Sequence, residues 1–188
     1  MLRIFIPILT LIFIIPAQLH GQTLPELMRQ AEGLAAAGDQ SGALHMLKEA
    51  YIQQWLKTPL AISKATFVSK RSEGYGKYHQ RADNVFNAGE KMLVYIEPYG
   101  YGWGKEGDLY SIDFSADFTV SSAAGKVLGG RKNFQKLGLK SLARNTEFFI
   151  SLTYTFSGIP KGDYVLTTTL NDMHSGKSVS SDLPFSVR

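Results

Sequence analysis

The densest run of side chains able to recognise a ligand is aromatic. Glu97-Pro98-Tyr99-Gly100-Tyr101-Gly102-Trp103-Gly104 sets three large rings in five positions, with glycine between them. Glycine lets such a loop turn tightly, while tyrosine and tryptophan offer flat faces with polar edges. A sugar ring or an extended peptide can stack on such a run, with Glu97 and Asp108 adding hydrogen bonds. The competing expectation is that the rings close the end of a β-domain or its contact with preceding helices. Tyr75 and Tyr78 form a second glycine-spaced pair. A different chemistry is offered by Arg131, Lys132, Lys136, Lys140 and Arg144. They cluster in and around the connection before Glu147, with Phe134, Leu137 and Leu139 interleaved. Such a basic patch suits an anionic polymer or a membrane surface, although five charges are a modest footprint for nucleic acid, and the competing expectation is a plain solvated loop.

Covalent and metal chemistry find less. His45, His79 and His174 have no second histidine at ligand spacing, and no loop supplies alternate oxygen ligands for calcium. Asp172 and His174 share a turn, where an aspartate is expected to serve the turn itself. Asp113 and Asp117 fall on one face of a strand, about 13 Å apart. That exceeds the roughly 5 to 9.5 Å used between glycosidase carboxyls. Ser111 and Ser115 beside them point to a solvated sheet face. No nucleophile elbow, phosphate loop or dinucleotide fingerprint is present. No catalytic residue, metal ligand or cofactor is expected.

These residues sit in a chain of 188 residues with 44% hydrophobic and 19% charged side chains and no cysteine. The apolar fraction is too high for a disordered chain and the charge too low for a coiled coil. Disulfides, thiol nucleophiles and cysteine metal sites are excluded. Arg3 followed by the apolar run Ile4–Ile15 and a small-residue exit reads as a secretory signal over residues 1–21. The run is short of the roughly 20 apolar residues a membrane span needs. Removing it takes Arg3 from the 20 basic residues, leaving 19 against 16 acidic and a net charge of +3. In an oxidising compartment the absence of cysteine means that the domain must rest on core packing alone.

Two amphipathic stripes precede the strands. Leu24, Leu27, Met28, Ala31, Leu34 and Ala35 predict one helix, capped by Thr23 with Pro25 and Glu26 in its first turn. Ala43, Leu44, Leu47, Ala50, Tyr51 and Trp55 predict a second, ending near Thr58-Pro59. Ala31, Gly38, Asp39, Ala43, Leu47 and Ala50 make this pair resemble one tetratricopeptide-type hairpin. A single unit cannot bury its own face, so a cap docked on another domain is expected in place of an array. From about Ala61 the period becomes two. Strands are predicted around Met92–Ile96, Leu109–Val120, Lys126–Phe134, Phe148–Phe156, Tyr164–Leu170 and Val179–Val187. Short turns and the absence of helical crossovers predict an antiparallel β-sandwich.

The run Gly158-Ile159-Pro160-Lys161-Gly162-Asp163-Tyr164 resembles the approach to a late strand of immunoglobulin-like and fibronectin-like sandwiches. There a tyrosine just inside the strand bonds back to the upstream loop. Residues from about Pro59 to Val187 also resemble an uncharacterised family of bacterial secreted proteins. The resemblance lies in Gly74–Tyr78, Phe86–Glu90, Val94–Trp103, Gly125–Leu128 and the Gly-Asp-Tyr-Val-Leu run. It implies envelope location and fold and brings no catalytic residue.

The expected organisation is a signal over 1–21, a helical hairpin over 22–58 and a mainly β, immunoglobulin-like sandwich over 59–188. The expected function is a secreted, non-catalytic binding or scaffolding module of the cell envelope, periplasmic in a Gram-negative source, with the aromatic loop Tyr99–Trp103 and the hairpin as its partner surface. The alternative is a carbohydrate-binding module using Tyr99–Trp103. An envelope protein or polysaccharide is the expected partner. Nucleic acid is expected to be excluded, and no membrane span is expected once the signal is removed.

Overall fold

A computed structural model describes residues 21–188, so the apolar run read as a signal lies outside the described residues. The chain divides into two compact units, which meet in sequence between Tyr51 and Ile52.

In the first unit, α1 (Leu24–Ala36) leads by a short turn into α2 (Gln40–Lys57). Their starts follow from local chemistry. The Glu26 carboxylate accepts from the Thr23 backbone N–H at 2.6 Å and from its hydroxyl at 2.9 Å. Asp39 Oδ1 accepts from the Gly42 N–H at 2.9 Å, satisfying a free amide in the first turn of α2. Gly38 takes φ +86 in the turn between them. Leu27, Ala31 and Ala43 are buried, whereas Met28, Leu44 and Leu47 stay exposed.

The second unit is mainly β. Its strands are β1 (Ala61–Val68), β2 (Val85–Phe86), β3 (Met92–Tyr99), β4 (Gly104–Glu106), β5 (Leu109–Ser122), β6 (Val127–Ser141), β7 (Ile150–Tyr154), β8 (Gly162–Asp172) and β9 (Ser178–Val187). One sheet runs β1-β3-β7 and the other β2-β9-β8-β5-β4, with β6 also paired to β5. All pairings are antiparallel except β2 with β9. Where the sequence predicts an immunoglobulin-like sandwich, the coarser architecture is what is seen: a mainly β fold behind a helix pair, with a sheet curled into a half-barrel.

Alternation dictates which side chains enter the core. Val94, Ile96 and Leu152 from the smaller sheet join Ile112, Phe114, Leu166, Leu170 and Phe185 from the larger one. Tyr95 projects from the opposite side of β3 and is nevertheless wholly buried, stacked between Tyr78 at 4.3 Å and Phe149 at 5.7 Å. The Tyr75/Tyr78 pair belongs to the segment that covers this face, with the Gly76 N–H donating to the Tyr95 hydroxyl at 2.7 Å. Burial, aided by the bond to Glu97, pushes the Tyr95 phenol far above its ordinary pKa.

Strand β6 departs from expectation. The sequence suggests a strand ending near Phe134 and a basic connection after it, but pairing with β5 continues to Ser141. Leu137 and Leu139 sit opposite the core residues Phe114 and Ile112, and these apolar pairs carry the ladder through the basic stretch.

Candidate functional site

The aromatic run does not form one exposed platform. Tyr99 ends β3 and is exposed, Tyr101 is wholly buried and Trp103 is partly buried. Trp55, in the last turns of α2 and within the second unit, organises them. Its indole N–H donates to the Tyr101 carbonyl at 2.8 Å. Its ring stands edge-on to Tyr101 at 5.0 Å and stacks on Trp103 at 5.9 Å. The Tyr101 hydroxyl and the Trp103 indole N–H both donate to the Asn145 carbonyl, at 3.1 and 3.0 Å. Gly100 takes φ +77, and a Cβ there would stand 2.5 Å from the Pro59 carbonyl oxygen. The same corner is tied by the Lys177 ammonium, which donates to the carbonyls of Leu56, Thr58 and Gly100 at 2.7 to 3.1 Å. Glu97 accepts from the Tyr95 hydroxyl at 2.6 Å on the smaller sheet. Asp108 lies exposed in the β4–β5 turn of the larger one. The five candidate ligand-binding residues are therefore split between core, surface and two sheets.

The basic candidates stay together. Arg131, Lys132, Lys136 and Lys140 lie along β6, and Arg144 follows it. No acidic residue occurs between Val127 and Arg144. Lys140 pairs with Glu106 at 2.6 Å. This contact raises the lysine pKa and lowers that of the carboxyl, so both remain charged. The Arg144 guanidinium lies 5.8 Å from the centre of the Tyr110 ring.

Beside this strand lies a cavity of about 660 Å³, lined by Asp113, Ser115, Asn133, Lys136, Gly138 and Met173, among others. Its walls are held by polar bonds. In β6 the pairing jumps from Gln135 to Arg131 while β5 advances only from Ala116 to Phe118. The resulting bulge re-aims side chains, as bulges do. At its centre Asn133 takes φ +49, a left-handed conformation that asparagine tolerates. Its Oδ1 accepts from the Ser115 hydroxyl at 2.6 Å, and its backbone N–H donates to Asp117 at 2.7 Å. Asn171 donates to the other Asp117 oxygen at 3.1 Å.

At the cavity rim, His174 Nε2 stands 2.7 Å from Asp113 Oδ2 and 2.9 Å from Ser111 Oγ. A hydrolytic triad needs carboxylate and hydroxyl on opposite ring nitrogens. Here one nitrogen serves both, leaving no base positioned to activate the serine. Gly104 makes room for the ring, since a Cβ there would lie 2.3 Å from it. The hairpin carrying His174 is set by Asp172, which is buried. Asp172 accepts from the N–H groups of Gly102 at 2.7 Å and His174 at 3.0 Å, and from the Ser175 hydroxyl. Among the described residues, no three His, Asp or Glu side chains gather as a metal site.

Sequence reasoning missed this cavity. Asp113, Ser115 and Asn171 come together by cross-strand register, and Asn133 by a bulge. The one local signal was an asparagine in the middle of a basic strand, a residue suited to positive φ.

No family model matches the chain, and no curated protein matches it. Solved structures give distant likenesses. The Pseudomonas fluorescens alkylpurine DNA glycosylase AlkC, bound to DNA containing an abasic site analog, is 11% identical with a TM-score of 0.39, over 89% of this chain and 40% of that one. The Bacillus subtilis sporulation control protein Spo0M is 9% identical with a TM-score of 0.32, over 70% of this chain and 50% of that one. The chain thus spans half or less of the length of these neighbours. One correction follows. The exclusion of nucleic acid as a partner, drawn from secretion and a modest basic footprint, is withdrawn, because one of these neighbours is a DNA complex. At such scores the likenesses point to no particular family.

Proposed function

We propose that the chain is a secreted, non-catalytic binding or scaffolding module of the cell envelope, whose binding surface is the β5–β6 ribbon and whose partner is anionic. The observation that carries the reading is the basic strand β6, which holds Arg131, Lys132, Lys136 and Lys140 with no acid among them, beside the cavity lined by Asn133 and Lys136. The N-terminal apolar run supports secretion. An immunoglobulin-like arrangement is supported by the strand order. The sheet β1-β3-β7 corresponds to strands A, B and E, and β5, β6, β8 and β9 to C, C′, F and G of a variable-type sandwich. The Tyr164 hydroxyl donates to the Pro160 carbonyl at 2.8 Å, the back-bond of a tyrosine corner.

Binding of poly-glutamate, a single-stranded oligonucleotide and anionic vesicles, measured at rising salt, tests the reading. Wild type should bind at least one of them, more weakly as salt rises. Arg131→Glu with Lys132→Glu should weaken that binding about tenfold or more. Failure of wild type to bind any of the three, or indifference to the charge reversal, overturns the proposal.

A further inference from the structure

Among the described residues the run Gln135–Ser141 of β6 pairs only with β5, so its other edge presents main-chain groups without a strand partner there. An open edge is a template for another strand. Its two faces differ. Lys136, Gly138 and Lys140 lie opposite Ser115, Asp113 and Ser111, on the outer face; Leu137 and Leu139 lie opposite Phe114 and Ile112, on the core side. Leu139 remains 38% exposed. Gly138 matters because it has no side chain. The Asp113 carboxylate occupies its place, with Oδ1 2.8 Å from where a Cβ would stand. Along the edge the outer face therefore reads cation, anion, cation, over about 13 Å, while the inner face reads leucine, leucine.

We infer that this edge receives an extended segment of a partner protein as an added strand. Its outer positions would be acidic opposite Lys136 and Lys140, with a hydrogen-bond donor opposite Asp113, and its inner positions apolar against Leu137 and Leu139. A second copy of this chain does not fit. Antiparallel β6–β6 pairing centred on Gly138 would set Lys136 against Lys140 on both sides, and like charges directly opposite are destabilising. The lysines that block self-pairing thus select an acidic strand. The ion pair of Lys140 with Glu106 is no obstacle, since both side chains are more than half exposed. Exposed pairs of this kind contribute little to stability, and an incoming carboxylate can exchange with Glu106. The inference rests on the proposed anionic partner and adds its class and its register.

The test uses a synthetic peptide of sequence Glu-Val-Thr-Val-Glu with neutral caps, its permutation Val-Glu-Thr-Glu-Val, and the first peptide with N-methylated valines. Hydrogen exchange of the full chain is followed alongside affinity. The first peptide should bind and protect amides within Gln135–Ser141. The permutation should bind about tenfold more weakly, and N-methylation should reduce binding comparably by removing main-chain donors. Lys136→Glu should weaken the first peptide about five- to tenfold. If poly-glutamate binds but the two sequence orders bind equally, or Gln135–Ser141 gains no protection, strand addition is overturned while the anionic-partner reading stands. If an oligonucleotide binds and the peptides do not, strand addition is likewise overturned. If nothing anionic binds, both fall.

Discussion

At the scale of the residue, the aromatic run separates what chemistry permits from what packing decides. Tyr99, Tyr101 and Trp103 have the same recognition chemistry, yet alternation and Trp55 send them to three environments. Tyr101 touches Trp55, Trp103, Phe114 and Phe148 at ring separations of 5.0 to 6.1 Å. Tyr101→Ala should therefore cost about 3 to 5 kcal/mol, as removal of a buried aromatic does, whereas Tyr99→Ala should stay within about 1 kcal/mol. Denaturant midpoints of the two variants measure this. Equal costs would mean that Tyr101 is not a core ring. None of the difference was legible in the sequence, because glycine-spaced rings read alike until a long-range partner is known, and Trp55 lies 46 residues before Tyr101. The polar cavity was hidden for a related reason: Ser115 and Asn133 meet through register, a property of strand pairs.

At the scale of the element, more was legible. The helix starts, the long β5 and the role of Tyr164 depend on local pattern, and the structure places them close to where the sequence predicts them. Strand β6 was foreshortened because glycine and lysine lower strand propensity, while its pairing is imposed by β5. Tyr164→Phe removes only the hydroxyl that bonds to Pro160. The expected loss is about 0.5 to 1.5 kcal/mol, seen as a lower midpoint with an unchanged denaturant slope. No change would reduce the corner to ring packing against Phe185 at 5.4 Å. The turn before β3 carries a pH signature. The Glu90 carboxylate accepts from the Asn87 N–H at 2.9 Å and from Arg81 at 2.8 Å. The first bond leads in holding its pKa below the ordinary 4.5, with Arg81 assisting. A depressed acid stabilises the folded state fully above its unfolded pKa, and this contribution is lost as pH falls through the folded value. Wild type should thus lose stability progressively below about pH 4.5. Glu90→Gln should start lower at pH 7 and decline less steeply on acidification. Parallel curves for the two proteins would exclude Glu90 as a contributor. Asp163, depressed chiefly by Ser186 and then by Arg188, keeps part of the acid sensitivity in the variant.

At the scale of the molecule, the boundary between units has consequences for stability. Proline at position 59 suggests that the helical part ends at Thr58 and that a β-domain begins after it. Helix α2 ends at Lys57, and the second compact unit takes in its last turns from Ile52 onward, for a chemical reason. Trp55 fills the corner beside Tyr101 and Trp103, and the Leu56 and Thr58 carbonyls receive the Lys177 ammonium. A chain beginning at Leu60 loses the indole and two of the three acceptors of a partly enclosed cation, while one beginning at Ile52 keeps all of them. With no cysteine to form a cross-link, nothing covalent compensates. Domains of this size are stable by about 5 to 15 kcal/mol in total, and a buried tryptophan alone contributes about 3 to 5. The shorter chain should therefore unfold at a markedly lower denaturant concentration than the longer one, or fail to fold, while the longer retains the β-sheet circular dichroism of the full protein. Equal midpoints would show that the end of α2 is only an attachment. A lower midpoint for the shorter chain that Trp55→Ala reproduces in the full protein would assign the effect to the indole itself.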